Sequence, residues 1–525
     1  MSGGEITEDQ QPLLDYLSAP GVLGDTPAKV IDTACAHVLL SGDVAFKLKR
    51  AIRYDYLDFG ARDKRNAAAA AEITLNRRTA PDIYRGLVPV YREGAGFRLG
   101  PLATAPKLDP DAAEHLIAMR RFDETATLDC LAADGRLLAR HIDQLADAIA
   151  RFHDAAAPEP MSAAGDRLKR VSARTMAEIT GQPDVIGPAA DRLDRVMRAA
   201  LDAAAPLVDA RGEAGCIRRL HGDLHLANVA LIDGAPVVFD ALEFDDAVAT
   251  VDMLHDLAFL VMDLWVRERG DLAARAWSRY LAMRDDYSGL SLAPLFIAMR
   301  AAVRAKVALN VGLLLEGDAR RAKQDEARMY ARAAEAALTP QRPRLIAIGG
   351  LSGTGKTTLA RDLAPALAAA VGAVHLRSDV LRKRMANVPF EAPLPSTAYG
   401  KETSRAVYAG LAERAAAALA AGAPVIVDAV AADPAERAAL EDVARRAGAP
   451  FSGLWLDLPL ADRQARIEGR SGDASDATAA VAAKQADYDL GHIAWARIDA
   501  GAGALEAARA ALGLENAPSL PHAQE

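Results

Sequence analysis

Cysteine is scarce: Cys35, Cys130 and Cys216 are the only three in 525 residues. Three is odd, and none belongs to a C-x-x-C pair. No disulfide framework is indicated, and a reducing, cytoplasmic compartment is expected. Each cysteine reads as a small buried apolar residue. An apolar run long enough for a membrane span is also missing. The best stretch, Leu254 to Val266, is interrupted by His255, Asp256 and Asp263, and a span needs about 18 residues without charges. Met1 to Gln11 are polar and acidic and lack the basic-then-apolar pattern of a secretory signal. Excess positive charge is absent too. The formal net charge is −9, which argues against a dedicated nucleic-acid binder.

What remains is 51% hydrophobic and 25% charged, the balance of a globular chain with real cores. Alanine is abundant, so helices are expected to dominate. The length corresponds to about three to four domain-sized units.

The most informative stretch runs Arg219-Leu220-His221-Gly222-Asp223-Leu224-His225-Leu226-Ala227-Asn228. Asp223 and Asn228 have the spacing of the Asp and Asn in the kinase catalytic loop, H-R-D-x-x-x-x-N. There the Asp accepts the proton of the acceptor hydroxyl, and the Asn holds a metal ion. Val229 to Ile232 and Ala235 to Phe239 flank Asp233-Gly234, a strong hairpin-turn signal. Such a hairpin would return Asp240 beside Asn228. Two oxygen ligands would then converge, as a hard cation such as Mg²⁺ requires. The alternative is a buried polar loop in which Asp223 and Asn228 only satisfy backbone groups.

Upstream, Val44-Ala45-Phe46-Lys47-Leu48-Lys49 alternates as a strand does. It is like the V-A-I-K strand whose Lys pairs the α/β-phosphates. Lys47 is the candidate nucleotide lysine. Lys49 lies on the same face, and the residues alone leave the choice between them open, as they leave open an edge strand with solvated lysines. A helix is expected from about Asp63 to Arg78. It carries Glu72, the candidate partner of Lys47, with a plain surface Glu as the alternative. No G-x-G-x-x-G precedes the lysine strand, so a different, shorter loop must cover the nucleotide. After Asp240 comes Ala241-Leu242-Glu243, with Leu242 where D-F-G has its glycine. Glu243 is read as orienting the acceptor, binding a second metal, or only charging a loop. Asp252 and Asp256 stand four apart, on one helix face.

His221-Gly-Asp-Leu-His225-x-x-Asn228, followed by Phe239-Asp240, resembles the aminoglycoside phosphotransferase family, relatives of protein kinases. The resemblance implies a bilobal kinase-like fold over residues 1–338, with a small lobe over about 12–122 and a large lobe over about 123–338. It implies ATP and Mg²⁺, with Asp223 as the catalytic base, His221 in support, and Asn228 and Asp240 as metal ligands. Lys47 and Glu72 would sit at the nucleotide. His115 to Phe122 would be the connector lining the adenine pocket. Asp256-Leu-Ala258, like the family's D-L-A, would brace the catalytic loop, with helix capping as the alternative. Two helical segments, about 167–181 and 188–209, form an insertion placed to shape the acceptor site.

Thr339-Pro-Gln-Arg-Pro343 marks a boundary, because prolines stop a helix and stiffen a linker. Residues 344–513 then read as a second unit, and 514–525 as a disordered tail. Arg344 to Ile348 is a buried-strand run. Gly350-x4-Gly355-Lys356-Thr357 follows, with a helix to about Ala370: a Walker A match in its strand–loop–helix setting. Gly350, Ser352, Gly353, Thr354, Gly355 and Thr358 form the phosphate cradle, aided by the helix N-terminus. Lys356 would reach the β/γ-phosphates, and Thr357 the Mg²⁺. Asp379, just past the strand Ala373 to Leu376, is the candidate to bind or deprotonate the acceptor. Asp428, ending the strand from Pro424, stands where a metal-holding Walker B acid would; binding substrate is its alternative. The helix after the strand Leu454 to Asp457 carries Arg463, Arg466 and Arg470. It resembles the mobile lid of small-molecule P-loop kinases, such as gluconate kinase-like and zeta-toxin-like proteins. Arg466, supported by Arg470, would neutralise charge on the transferring phosphoryl. A solvated, salt-bridged helix is the alternative.

The fold class expected is therefore a bilobal α+β unit followed by an α/β P-loop NTPase with a parallel sheet flanked by helices. The pairing resembles bacterial proteins described as an aminoglycoside phosphotransferase family enzyme fused to a P-loop (AAA family) ATP-binding domain. It implies a two-headed phosphotransferase that moves the γ-phosphate of ATP to small hydroxylated acceptors such as sugars or aminosugars. One alternative keeps a single active half beside a regulatory nucleotide-binding module. The missing Gly-rich loop makes the N-terminal half the weaker candidate there. Another is a toxin-like nucleotide-sugar kinase restrained by the rest of the chain. A small-molecule acceptor is the expected partner; nucleic acid and membrane are not. Glu243, Asp245 and Asp246 would suit a cationic sugar.

Overall fold

The computed structural model describes residues 5–54, 57–469 and 474–514. Alternating sequence builds its first sheet, because successive strand side chains point to opposite faces. Six antiparallel strands lie in the order Lys29–Asp32, Ala36–Ser41, Val44–Lys49, Glu114–Arg120, Tyr84–Glu93 and Gly96–Leu99. Leu39, Leu48, Val90, Leu116 and Ala118 cover one face, against Leu13, Leu14 and Leu17 of the helix Gln11–Ser18. On the other face Leu87 and Ile117 meet Ala69 and Ile73 of the helix Arg62–Asn76. Lys47 lies opposite Val38 and Ile117 in the centre of this sheet. An edge strand with solvated lysines is thereby excluded.

A helical layer follows. Ala139–Ala155, Ala164–Thr180, Ala189–Glu213, Met253–Val266, Gly270–Arg284, Ala293–Leu313 and Gly317–Ala337 contribute to one core. Met253–Val266 is apolar nearly all round and buried along almost its whole length, the signature of a helix in the middle of a large core. Among the described residues, no helix is long and apolar enough to cross a membrane. The hairpin Val229–Ile232 to Ala235–Val238 turns through Asp233 and Gly234, both with positive φ (52° and 81°). That is the backbone a two-residue hairpin turn of matching twist requires.

The second sheet is parallel, in the order Val374–Arg377, Val425–Asp428, Leu345–Gly350, Phe451–Asp457 and Ala496–Asp499. Leu345–Gly350 is the central strand and is buried throughout. The helix after the glycine-rich loop spans Lys356–Leu363 and gives way to a 3₁₀ turn at Ala364–Leu367, short of the expected Ala370. Pro365 has no N–H to donate back to residue 361, so the ladder breaks there. Apart from Leu514, the expected disordered tail lies outside the described residues.

The helix Gly270–Arg284 packs against the second sheet's unit on one side and against the helix Ala139–Ala155 on the other. Ala274 belongs to the apolar cluster of the second sheet, with Ile346, Ile348 and Leu363. Ser278 Oγ accepts from the His375 amide at 3.2 Å. Arg384 donates to the carbonyls of Ala282 and Met283, and Arg414 makes a two-pronged ion pair with Asp285 at the helix end. Arg275 and Arg279, meanwhile, pair with Asp143 and Asp147 on the helix Ala139–Ala155.

Candidate active sites

The first site forms where the lysine strand, the helix Arg62–Asn76 and the loop around Asp223 meet. Lys47 Nζ lies 2.8 Å from Glu72 Oε1 and 2.7 Å from Asp240 Oδ1. Glu72 is wholly buried, so it is no surface glutamate. Lys49 forms an ion pair with the second oxygen of Glu72 at 2.5 Å and donates to Glu243. The hairpin brings Asn228 and Asp240 to one end, where the Phe239 amide donates to the Asn228 carbonyl at 3.0 Å. Asn228 Nδ2 donates to Asp223 twice, to its carbonyl at 2.9 Å and to Oδ2 at 3.1 Å. Burial pushes the Asp223 carboxyl up, but His225, His221 and Arg304 outweigh it and hold the group well below the usual carboxylate range. His225 Nε2 stands 3.3 Å from Asp223 Oδ2. Burial lowers this imidazole, but Asp223 more than compensates, so His225 titrates above its ordinary value.

Asp256 organises the loop beneath. Its two oxygens accept from the amides of Gly222 at 2.8 Å and His221 at 3.3 Å. His153 Nε2 lies 3.1 Å from the same carboxylate, and Tyr280 holds the other ring nitrogen at 2.6 Å. Helix capping belongs to Asp252 instead, which accepts from the Leu254 amide. His221 Nε2 reaches the Phe239 carbonyl at 2.9 Å, tying the loop to the hairpin. Arg300 adds a bond to the Gly222 carbonyl, and Asp263 accepts from the Leu226 amide.

The second site is a cavity of about 970 Å³. Ser352, Gly353, Thr354, Gly355, Lys356, Thr357 and Thr358 line one end, and Asp379, Asp428 and Arg466 lie along it. Gly353 and Gly355 have φ of 86° and 92°, a conformation open to glycine. A Cβ on Gly353 would stand 2.6 Å from the Arg463 carbonyl oxygen. The loop therefore curls tightly against the helix Leu460–Glu468. Thr357 Oγ1 donates to Asp428 Oδ2 at 2.6 Å, and Lys356 Nζ to the Leu351 carbonyl at 3.1 Å. Burial raises Asp428, but His375, Arg377 and Lys356 draw it well below the carboxylate range. Asp379 goes the other way: burial raises it, Asp428 adds to the rise, and Arg377 and Lys356 only partly offset it.

Arg463 is almost fully buried, in contrast to a solvated helix face. It leans on the Ser352 carbonyl at 3.5 Å, while Arg466 donates to the carbonyls of Thr354 at 3.3 Å and Ala500 at 2.8 Å. Arg470 lies outside the described residues.

Several contributing residues carry no local sequence signal. Asn76 Oδ1 accepts from the Ala241 amide at 2.7 Å, and the Tyr84 hydroxyl from the Asp240 amide at 3.2 Å. Gln485 accepts from the Ser352 amide at 2.7 Å. His375 was findable, since a polar side chain interrupts an apolar strand just before Asp379. It stands 3.4 Å from Asp428.

Comparison with known proteins places both halves. Residues 88–292 match the phosphotransferase enzyme family, and residues 345–488 match an AAA domain family. The uncharacterized protein Rv2004c of Mycobacterium tuberculosis is 31% identical over 476 residues, covering 88% of this chain and 91% of that protein; Mb2027c of Mycobacterium bovis matches to the same extent. Similar solved structures include a choline/ethanolamine kinase family protein from Mesorhizobium loti (15% identity, 61% of this chain and 92% of that one, TM-score 0.34). A gluconokinase from Sinorhizobium meliloti is similar over 33% of this chain and 93% of its own (21% identity, TM-score 0.25). The chain belongs to the family of these mycobacterial proteins, and it is a kinase-type phosphotransferase acting on hydroxyl groups, joining a phosphotransferase enzyme family domain to a P-loop AAA domain.

Proposed function

We propose that this small-molecule kinase has two working sites, each transferring the γ-phosphate of ATP to a hydroxyl of a small acceptor such as a sugar or aminosugar. The observation that carries the reading is the pairing of a candidate base with phosphate-handling groups at both places. Asp223 stands with Asn228, Asp240 and Lys47. Asp379 shares one cavity with Lys356, Thr357 and Asp428.

The donor sets fit the ion proposed. Mg²⁺ takes oxygen ligands, keeps several waters, and is bound through one or two carboxylates plus substrate phosphates. Asp240 offers a carboxylate that is 43% exposed, and Asn228, with its Nδ2 committed to Asp223, retains its amide oxygen. At the second site Thr357 and Asp428 play that part. Such an ion would supply positive charge against the negative charge that develops on the phosphates.

The chain's own residues supply the rest. Asp223, held ionised chiefly by His225 with Arg304 beyond, accepts the proton of the acceptor hydroxyl as the new P–O bond forms and the bond from the γ-phosphorus to the ADP oxygen breaks. Its neighbour His225 stabilises that carboxylate and fixes its orientation. Lys47, held by Glu72, offers a cation to the phosphates. It is the nucleotide lysine of the pair, because Lys49 is sealed between Glu72 and Glu243. In the second site Asp379 takes the proton, Lys356 and the loop amides grip the phosphates, and Arg466 adds positive charge beside Thr354. The single-site alternative is favoured by no specific contact.

An ADP-release screen across sugars, aminosugars, nucleosides and polyols tests this, with the wild type, Asp223→Asn and Lys356→Ala. Each substitution is expected to abolish a different part of the acceptor profile. If either one leaves the whole profile intact, the corresponding half is not catalytic.

A further inference from the structure

Two lysines share one glutamate in the first site, and they are not equivalent. Lys47 keeps 15% of its side chain exposed, and Lys49 only 3%. Lys49 Nζ is ion-paired with Glu72 Oε2 on one side and donates to Glu243 Oε1 on the other. The Phe59 ring lies 5.4 Å from the ammonium, and Phe244, next to Glu243, meets Phe59 edge-on at 6.4 Å. Lys47 spans Glu72 and Asp240 in parallel. Glu72 thus anchors both lysines, and each lysine holds one end of the turn from Asp240 to Glu243.

That turn opens with Asp240 at φ 62°, a left-handed conformation that an Asp tolerates less readily than a Gly. Leu242, with its side chain, occupies the place where a D-F-G turn has glycine. The Leu242 amide is tied to the His221 carbonyl at 2.9 Å. Tyr84, Asn76 and Arg219 also hold residues 240, 241 and 242, and Glu243 pins the far end of the turn to the lysine strand.

We propose that Lys49 and Glu243, seated on Glu72, form a strut that positions Asp240 toward its metal ion. The proposal rests on the reading of Asn228 and Asp240 as Mg²⁺ ligands. Its physical basis is charge. Without the Lys49 ammonium, Glu72 and Glu243 are two buried carboxylates facing each other, and like charges repel strongly where water is excluded. Relief comes when Glu243 takes up a proton or swings out; either loosens the far end of the turn that carries Asp240, while Tyr84, Asn76 and His221 still hold the amides of residues 240, 241 and 242. Lys47 cannot take over, because its ammonium already spans Glu72 and Asp240. Lys49 is therefore a positioning residue; Asp240 and Lys47 are the groups that meet the substrate.

The test uses the full chain carrying Lys356→Ala, which removes the lysine of the other cradle. ATP binding is measured by titration calorimetry at rising Mg²⁺ and in EDTA. Adding Lys49→Met is expected to raise the Mg²⁺ needed for half-maximal ATP binding by about 10- to 100-fold, the scale seen when an outer partner of a metal ligand is lost. Binding in EDTA changes by less than this, and Lys49→Arg restores most of the Mg²⁺ response. Glu243→Gln, which keeps the side-chain shape, gives an intermediate shift and decides the matter if the Met variant does not fold. A lowered melting temperature with an unchanged Mg²⁺ requirement would overturn the strut and leave the ATP site standing. Absence of any ATP heat from the parent would overturn both readings.

Discussion

The two sites solve the same electrostatic problem with different materials. The first is built from side chains gathered from distant segments: Lys47, Glu72, Asp223 and Asp240. Around Lys47 and Lys49 the described carboxylates of Glu72, Asp240 and Glu243 outnumber the lysines. The second is built largely from backbone, with glycines at positive φ curling amides around a cavity. Their two candidate bases show the contrast sharply. Asp223 is half-buried and Asp379 lines the second cavity, yet one titrates low and the other high. Burial alone does not set the charge. What decides is the balance of neighbouring charges: His225 and Arg304 act on Asp223, whereas Asp379 shares Arg377 and Lys356 with Asp428.

The widest separation between the sites should come from the bases themselves. Asp223→Asn is expected to slow the first reaction by about 10²- to 10⁴-fold, the usual worth of a positioned base, while leaving the Lys356-dependent reaction unchanged. Initial rates with acceptors specific to each half would show it. Next in size is a stability effect confined to the first half. Asp256→Ala strands His153 and two loop amides, and each buried polar group left unsatisfied costs about 1–3 kcal/mol. Asp256→Asn, which keeps an acceptor oxygen, costs less; urea unfolding followed by a probe in the first half would rank them.

Acidity offers a third contrast. As pH falls, Asp379 takes up its proton earlier than an ordinary aspartate and Asp223 later. The acid limb of the second reaction therefore lies at higher pH than that of the first. Rate profiles in the Asp223→Asn and Lys356→Ala backgrounds would reveal a reversed order if the reading of the bases is wrong. The smallest effect is at the junction. Ser278→Ala removes one bond to the His375 amide and is expected to destabilise by about 0.5–1.5 kcal/mol, with both reactions retained.

How much of this was legible depended on how far apart the partners lie in the chain. The Walker A stretch is contiguous, so its loop and flanking strand could be read directly. The Asp223 loop and its hairpin were legible for the same reason, since Asp233-Gly234 specifies the turn that returns Asp240. Glu72 could be named because it sits on the helix after the lysine strand, where the kinase Lys–Glu pair has its acid. Asn76 and Tyr84 reach Ala241 and Asp240 across 165 and 156 residues, and no local pattern encodes such a meeting. The choice between Lys47 and Lys49 was closed to sequence for a related reason. Both point the same way from the strand, and only the placement of Glu243 distinguishes them.

The helix Gly270–Arg284 has a thermal consequence. Its Ala274 fills space in the second sheet's core while its Tyr280 holds His153 under the catalytic loop. Loss of this one segment would flood apolar surface on one side and release a buried imidazole on the other. A calorimetric scan of the whole chain is therefore expected to show a single endotherm, and cleavage within 339–343 would yield a C-terminal fragment with an uncovered sheet edge prone to aggregation.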